Sequence, residues 1–339
     1  MRTRSQRPEP ERLIYRWDLD KTYLLSEFGT LRELVKIPFQ KPEDKIAAPG
    51  VIALIRGLRE SAIARGAEVR VYFISASPPQ IGRAIRRKLE LDGIEYDGII
   101  FKNQLQRLFR GKFRHLREQI GFKLTELLKA RHLEPPAVRE YLFGDDWESD
   151  PLVYSLYADT LGGRLTPAEL GDLLRQLRVD PPLIREAQAL AVGLPSAEAV
   201  ERIFINLERP TPPASLRRFG WRLVPTFNYF QTAACLHAQG VLTDAGAVSV
   251  ARAMIELSGY TPSQLGNSLD DVVRRGHLPA AHAAAVRDAL AHGGMLPGRP
   301  RNWLHRVLDR CRRPRRPLAD APPVVDYAAL LAAQEVAAE

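Results

Sequence analysis

The chain is poor in cysteine: 339 residues contain two, Cys235 and Cys311. They lie far apart with no paired spacing, so neither a disulfide framework nor a zinc site is indicated, and a reducing compartment fits. Long apolar runs are also missing, and nothing approaches the ~18 residues that a membrane span needs. Met1 to Arg12 is basic but leads into no apolar segment, so a signal peptide is not expected. A Gly-x-x-x-x-Gly-Lys-Ser/Thr loop is lacking too, which argues against a fused kinase. A cytoplasmic protein is the simplest expectation. The composition, 45% hydrophobic and 26% charged, is that of a globular chain long enough for two domains.

Four short segments carry the chemistry. Leu13-Ile14-Tyr15-Arg16-Trp17 is apolar-rich and β-prone, and it runs into Asp18-Leu-Asp20-Lys-Thr22. Carboxylates two residues apart on a strand share a face, and hard cations such as Mg²⁺ take such oxygens together with substrate phosphate. A second β-rich run, Val69 to Ile74, ends in Ser75-Ala-Ser77-Pro78, and Lys123 opens a later helical pattern. A third short strand, Tyr141-Leu-Phe143, ends in Gly144-Asp145-Asp146, with Asp150 close behind. Open parallel α/β sheets bind ligands at the carboxyl ends of their strands, where these groups fall. Taken singly, they also suit turn formers, a solvated lysine and a helix N-cap cluster.

As a set, Asp18/Asp20/Thr22, Ser75, Lys123 and Gly144/Asp145/Asp150 resemble the motifs of the haloacid-dehalogenase-type (HAD) phosphohydrolase superfamily. Pro49-Gly50, Ser75-Ala-Ser77-Pro78 and Asp150-Pro151 with Tyr154 are most similar to the catalytic domain of actin-patch-type phosphatidate phosphatases. Lys21 departs from the lipid phosphatases, which usually carry a third acid there, so the likeness supports the chemistry further than the lipid substrate. The resemblance implies a Mg²⁺-dependent phosphomonoesterase. Asp18 would be the nucleophile, Asp20 the general acid and base, and Ser75 and Lys123 the partners of the transferring phosphoryl group. It also implies phosphate contacts from Thr22 and Ala76. The metal set would be Asp18, Asp20 through its backbone carbonyl, Asp145 and Asp150, with Asp146 orienting from behind.

Net charge is +9 and unevenly placed. Between Lys102 and Arg131, nine Lys or Arg face only Glu118 and Glu126, with Phe101, Phe109, Phe113 and Phe122 interleaved. A second cluster, Arg299 to Arg316, has eight Arg against Asp309. Such stretches suit an anionic membrane surface or nucleic acid, or form a solvated helix face whose aromatics pack inward. Two other function classes therefore stand beside the lipid-like phosphatase: a nucleic-acid end phosphatase, and a non-catalytic binding protein on the same core.

Strands at Leu13–Asp18, Val69–Ile74, Gly98–Phe101 and Tyr141–Phe143 alternate with helical patterns at Val51–Arg65, Pro79–Leu91, Gln104–Arg117 and Leu124–Arg131. That alternation predicts a three-layer α/β fold with a parallel sheet, HAD-like given the resemblance. Residues 1–12 are expected to be flexible, 13–209 to form the phosphatase domain, and Tyr23–Pro49 to form a minimal lid. A helical insertion is expected at about 165–199, and Ile203–Leu207 as the edge strand. From Pro210 the chain turns Ala- and Leu-rich, which predicts an all-α domain over 210–313. Residues 314–339 should be a mostly loose tail with a short helix around Tyr327–Ala338. The scattered histidines, and Trp221, Tyr229 and Phe230, read as packing or surface residues. Oligomeric state is not legible.

Overall fold

The computed structural model describes residues 10–20, 22–23, 47–75, 79–102, 112–147, 149–295 and 325–330, with 80 and 112–118 described by their backbone alone. Among these residues, six parallel strands form one sheet: β1 (Arg12–Asp18), β2 (Glu68–Ser75), β3 (Gly98–Phe101), β4 (Val138–Asp145), β5 (Val200–Asn206) and β6 (Leu223–Thr226). Their order is β3-β2-β1-β4-β5-β6. The chain winds outward from β1 in one direction and then restarts at β4 in the other. The β1/β4 boundary is therefore the switch point, where an α/β sheet opens a crevice beyond its strand ends.

The strands form because their residues are β-branched or aromatic and are buried on both faces, as parallel sheets require. Tyr15 and Trp17 of β1 point to one face and Ile14, Arg16 and Asp18 to the other. On the first face Trp17 stacks on Phe143, ring centroids 3.8 Å apart, and Phe143 on Phe204 at 5.5 Å. Helices α1 (Val51–Ala64), α2 (Gly82–Leu91), α7 (Tyr229–Ala238), α8 (Asp244–Ser258), α9 (Pro262–Arg274) and α10 (Ala280–His292) supply that face's core. The second face is covered by α3 (Lys112–His132), α4 (Asp150–Leu161), α5 (Pro167–Gln176) and α6 (Pro181–Val192).

Three expectations change. Residues 210 onward do not stand apart as helices: Leu223–Thr226 adds a sixth strand, with Ile205 opposite Pro225. Ile203–Leu207 is consequently an interior strand, and β6 takes the edge, where a proline without an N–H is tolerated. Finally, α3 is one continuous 21-residue helix where two shorter ones were expected.

The C-terminal helices share a core with the first half. Leu54 and Leu58 of α1 lie in the same buried cluster as Val250 and Met254 of α8. Gly50 shows how close they come. It caps α1 at φ +81°, and a Cβ there would sit 2.9 Å from Met254 Cγ. Between α4 and β5 the chain forms the helices α5 and α6, with Thr166 and Glu169 forming a capping box at the start of α5. Within the expected loose tail, Val325, Tyr327 and Leu330 are buried, and the Tyr327 hydroxyl donates to Asp159 at 2.7 Å. Most of the expected lid (residues 24–46 of Tyr23–Pro49), the basic cluster Arg299 to Arg316, and residues 1–9 lie outside the described residues. No helix among the described residues is long and apolar enough to cross a membrane.

Candidate active site

The site is assembled at the switch point. Asp18 ends β1 and Asp145 ends β4, the two strands on either side of the crevice. Asp150 begins α4, and Lys123 projects from the middle of α3. All four side chains are completely buried. Lys123 Nζ donates to Asp18 Oδ1 at 2.7 Å and to Asp150 Oδ1 at 2.6 Å, tying β1, α3 and α4 together. Ligand oxygens of Asp18, Asp145 and Asp150 lie within 4.8 Å of one another.

Local backbone explains the convergence. The Asp145 N–H donates to Asp150 Oδ2 at 3.3 Å, and Trp147 N–H donates to Asp145 Oδ1 at 2.6 Å, curling the loop around its own carboxylates. Gly144 makes room for this. A Cβ at that position would lie 2.4 Å from Asp150 Oδ2, so no other residue leaves Asp150 where it is. After β1 the turn is held by Leu19 N–H to Ile74 carbonyl at 3.0 Å and Tyr23 N–H to Leu19 carbonyl at 3.2 Å.

Asp20 is partly exposed and stands outside the buried carboxylate group. Ser75, buried at the end of β2, donates its hydroxyl to Asp20 Oδ2 at 2.7 Å. Thr22 is buried with its hydroxyl 3.5 Å from Asp18 Oδ2, at the limit of a hydrogen bond. Asp146 does not join the cluster: its carboxylate accepts from the backbone N–H groups of Glu208 and Arg209 at 2.8 and 3.1 Å. Its role is to fasten the loop after β5 to the loop after β4. Ala76 and Lys21 lie outside the described residues.

Charge decides what this site can hold. Among the described residues the cluster gathers three buried carboxylates and one ammonium, a formal excess of two negative charges in a water-poor setting. Buried charge of one sign is costly unless countered. An all-oxygen donor set with that excess fits a hard divalent cation.

Tyr229, read from sequence as a packing residue, borders the site. Its hydroxyl donates to the Thr22 carbonyl at 2.5 Å, so the C-terminal half supports the turn that carries Asp20. Burial first, then Glu208, Asp145 and Asp18, push its ionisation well above the ordinary tyrosine range. On the other side of the sheet Tyr154 donates to the Phe143 carbonyl at 3.3 Å, and burial with Asp150 and Asp18 likewise keeps it neutral.

The basic segment behaves differently from a solvated face where its side chains are described. Lys102, Lys123 and Arg131 are buried, and Lys129 pairs with Glu126 and Glu186, each at 2.8 Å. Residues 103–111, with Arg107 and Arg110, lie outside the described residues.

Comparison with protein-family models, with curated proteins and with solved structures finds no match to this chain.

Proposed function

We propose that the protein is a Mg²⁺-dependent phosphomonoesterase that works through an aspartyl-phosphate on Asp18. What supports this reading is the meeting of Asp18, Asp145, Asp150 and Lys123 at the switch point, with Asp20 and Ser75 beside them. Asp18, Asp145 and Asp150 would hold the cation, which would neutralise charge on the phosphoryl oxygens.

The remaining work falls to side chains. Lys123, bonded to Asp18 and Asp150 at once, fixes the rotamer of the nucleophile. The Asp18 carboxylate attacks phosphorus, forming an O–P bond as the ester O–P bond breaks, which divides one difficult step into two. Asp20 gives its proton to the leaving oxygen. It then takes a proton from the water that attacks phosphorus and releases phosphate from Asp18. Partial exposure suits Asp20 to that exchange, and the Ser75 hydroxyl sets its orientation. The resemblance to lipid phosphatases makes a phosphatidate-like lipid one substrate to assay beside a small chromogenic phosphate.

Replacing Asp18 by Asn tests the assignment. Turnover should fall on the order of 10³-fold or more, since the nucleophile is lost. Residual activity within tenfold of wild type, with the fold intact by circular dichroism, would overturn it.

A further inference from the structure

A second group of residues is built into the rim of this site and takes no part in the mechanism above. Trp147 follows Asp145 by two residues, at most ~7 Å along the chain, and its ring is 39% exposed. The Arg209 guanidinium lies over that ring, 4.1 Å from its centroid. Both partners are tied to the site through their backbones. Trp147 N–H is bonded to Asp145 Oδ1, and Arg209 N–H to the carboxylate of Asp146. Register adds a third constraint, because Asp145 and Asn206 are aligned on neighbouring strands, placing the loop after β5 beside the loop after β4.

Stacking on an indole covers one face of a guanidinium and leaves its N–H edge available. Among the described residues no carboxylate pairs with the Arg209 side chain, whereas Arg275, stacked on Phe227, is bonded to Asp271 at 2.7 Å. A stacked, exposed arginine with no carboxylate partner among the described residues, fastened beside a carboxylate cluster, is a preorganised fork for an oxyanion. We infer that Arg209 and Trp147 form a subsite for a second anionic group of the substrate, a phosphate or carboxylate a few bonds from the phosphoryl group that reacts. The inference rests on the phosphomonoesterase reading and narrows its substrate class to bis-anionic esters.

The test compares alkane-1,n-diol bisphosphates and ω-phosphoalkanoates with n-alkyl phosphates of equal length, in wild type, Arg209→Ala, Arg209→Lys and Trp147→Ala. Wild type should favour the bis-anionic esters in kcat/KM by about 10- to 100-fold, the range of a charge-assisted bidentate contact. Arg209→Ala should erase that ratio through KM. Arg209→Lys should recover only part of it, since an ammonium lacks the fork, and Trp147→Ala should fall between. The phosphate and carboxylate series separate the two sources of the anion. Binding of alkane bisphosphonates and monophosphonates by calorimetry supplies a readout free of turnover. If no ester is hydrolysed but Arg209→Ala still weakens the bisphosphonate selectively, the enzymatic reading fails and the subsite stands. If wild type shows no preference, or Arg209→Ala weakens both series equally, the subsite is wrong.

Discussion

Two buried ionic clusters sit on the same face of β1, one turn of the pleat apart, and they are built in opposite ways. At the strand tip, Lys123 bridges Asp18 and Asp150, and Asp145 completes a group of three carboxylates around it. Farther back, Glu140 is wrapped by cations and a phenol: Arg16 at 2.6 Å, Arg131 at 3.5 Å, and the Tyr157 hydroxyl at 3.0 and 3.1 Å from its two oxygens. Burial alone would lower the Arg16 pKa, but Glu140 outweighs it and the guanidinium is held firmly charged. Burial and then Glu140 also keep Tyr157 protonated. α3 serves both, with Lys123 at its middle and Arg131 two turns on, near its C-terminus. One cluster sets two guanidinium groups around a single carboxylate; the other, among the described residues, gathers three carboxylates and one ammonium. A carboxylate enclosed by cations belongs to the architecture, and carboxylates in excess mark a place where a cation can bind.

The largest effect that can break this contrast is at Glu140. Glu140→Gln leaves two buried guanidinium groups without their carboxylate, which should cost about 3–5 kcal/mol, read as a lower denaturant midpoint at unchanged slope. Asp18→Asn removes one of three crowded carboxylates and should leave the midpoint unchanged or raise it. Should Asp18→Asn destabilise more than Glu140→Gln, the two clusters are not different in kind.

Much of the tip cluster was legible in the sequence, and the Glu140 cluster was not, for a physical reason. Asp18, Ser75, Asp145 and Asp150 end or follow β-rich runs, so the rule that parallel sheets bind ligands at their strand ends points to them, and the resemblance to the HAD motifs groups them as one site. Arg16 and Glu140 lie inside such runs, where a charge reads as a solvent-facing alternate position; only a helix on that face reveals that it is buried. β6 was hidden by its length and by Pro225, and with it the sheet contact of the C-terminal half. Tyr229 was legible as core, but not its bond to the Thr22 carbonyl, which depends on packing across more than 200 residues. Arg209 follows the strand read at Ile203–Leu207 and Trp147 lies within the acidic motif, but no sequence pattern brings the two together.

A smaller effect sharpens the comparison by testing burial without a carboxylate cage. His277 is depressed to about 4, by burial first and then by Arg275, Arg217 and Arg202, against a weaker opposing pull from Asp271. The unfolded chain binds this proton more readily, so the neutral ring contributes fully above about pH 6.5 and loses its contribution as pH falls toward 4. The loss should approach about 3 kcal/mol. Carboxylates titrate in the lower part of the same window, so the readout is the difference between wild type and His277→Gln. That difference should shrink as pH drops from 6.5 to 4, and a constant difference would contradict the assignment.

The most direct test of the imbalance at the strand tip is a Mg²⁺ titration of phosphatase activity after EDTA treatment, in wild type and Asp145→Ala. EDTA should abolish turnover and Mg²⁺ restore it, and loss of one direct ligand should raise the half-maximal Mg²⁺ concentration by on the order of tenfold or more. Wild-type activity untouched by EDTA, or the same Mg²⁺ dependence in both proteins, would contradict the account.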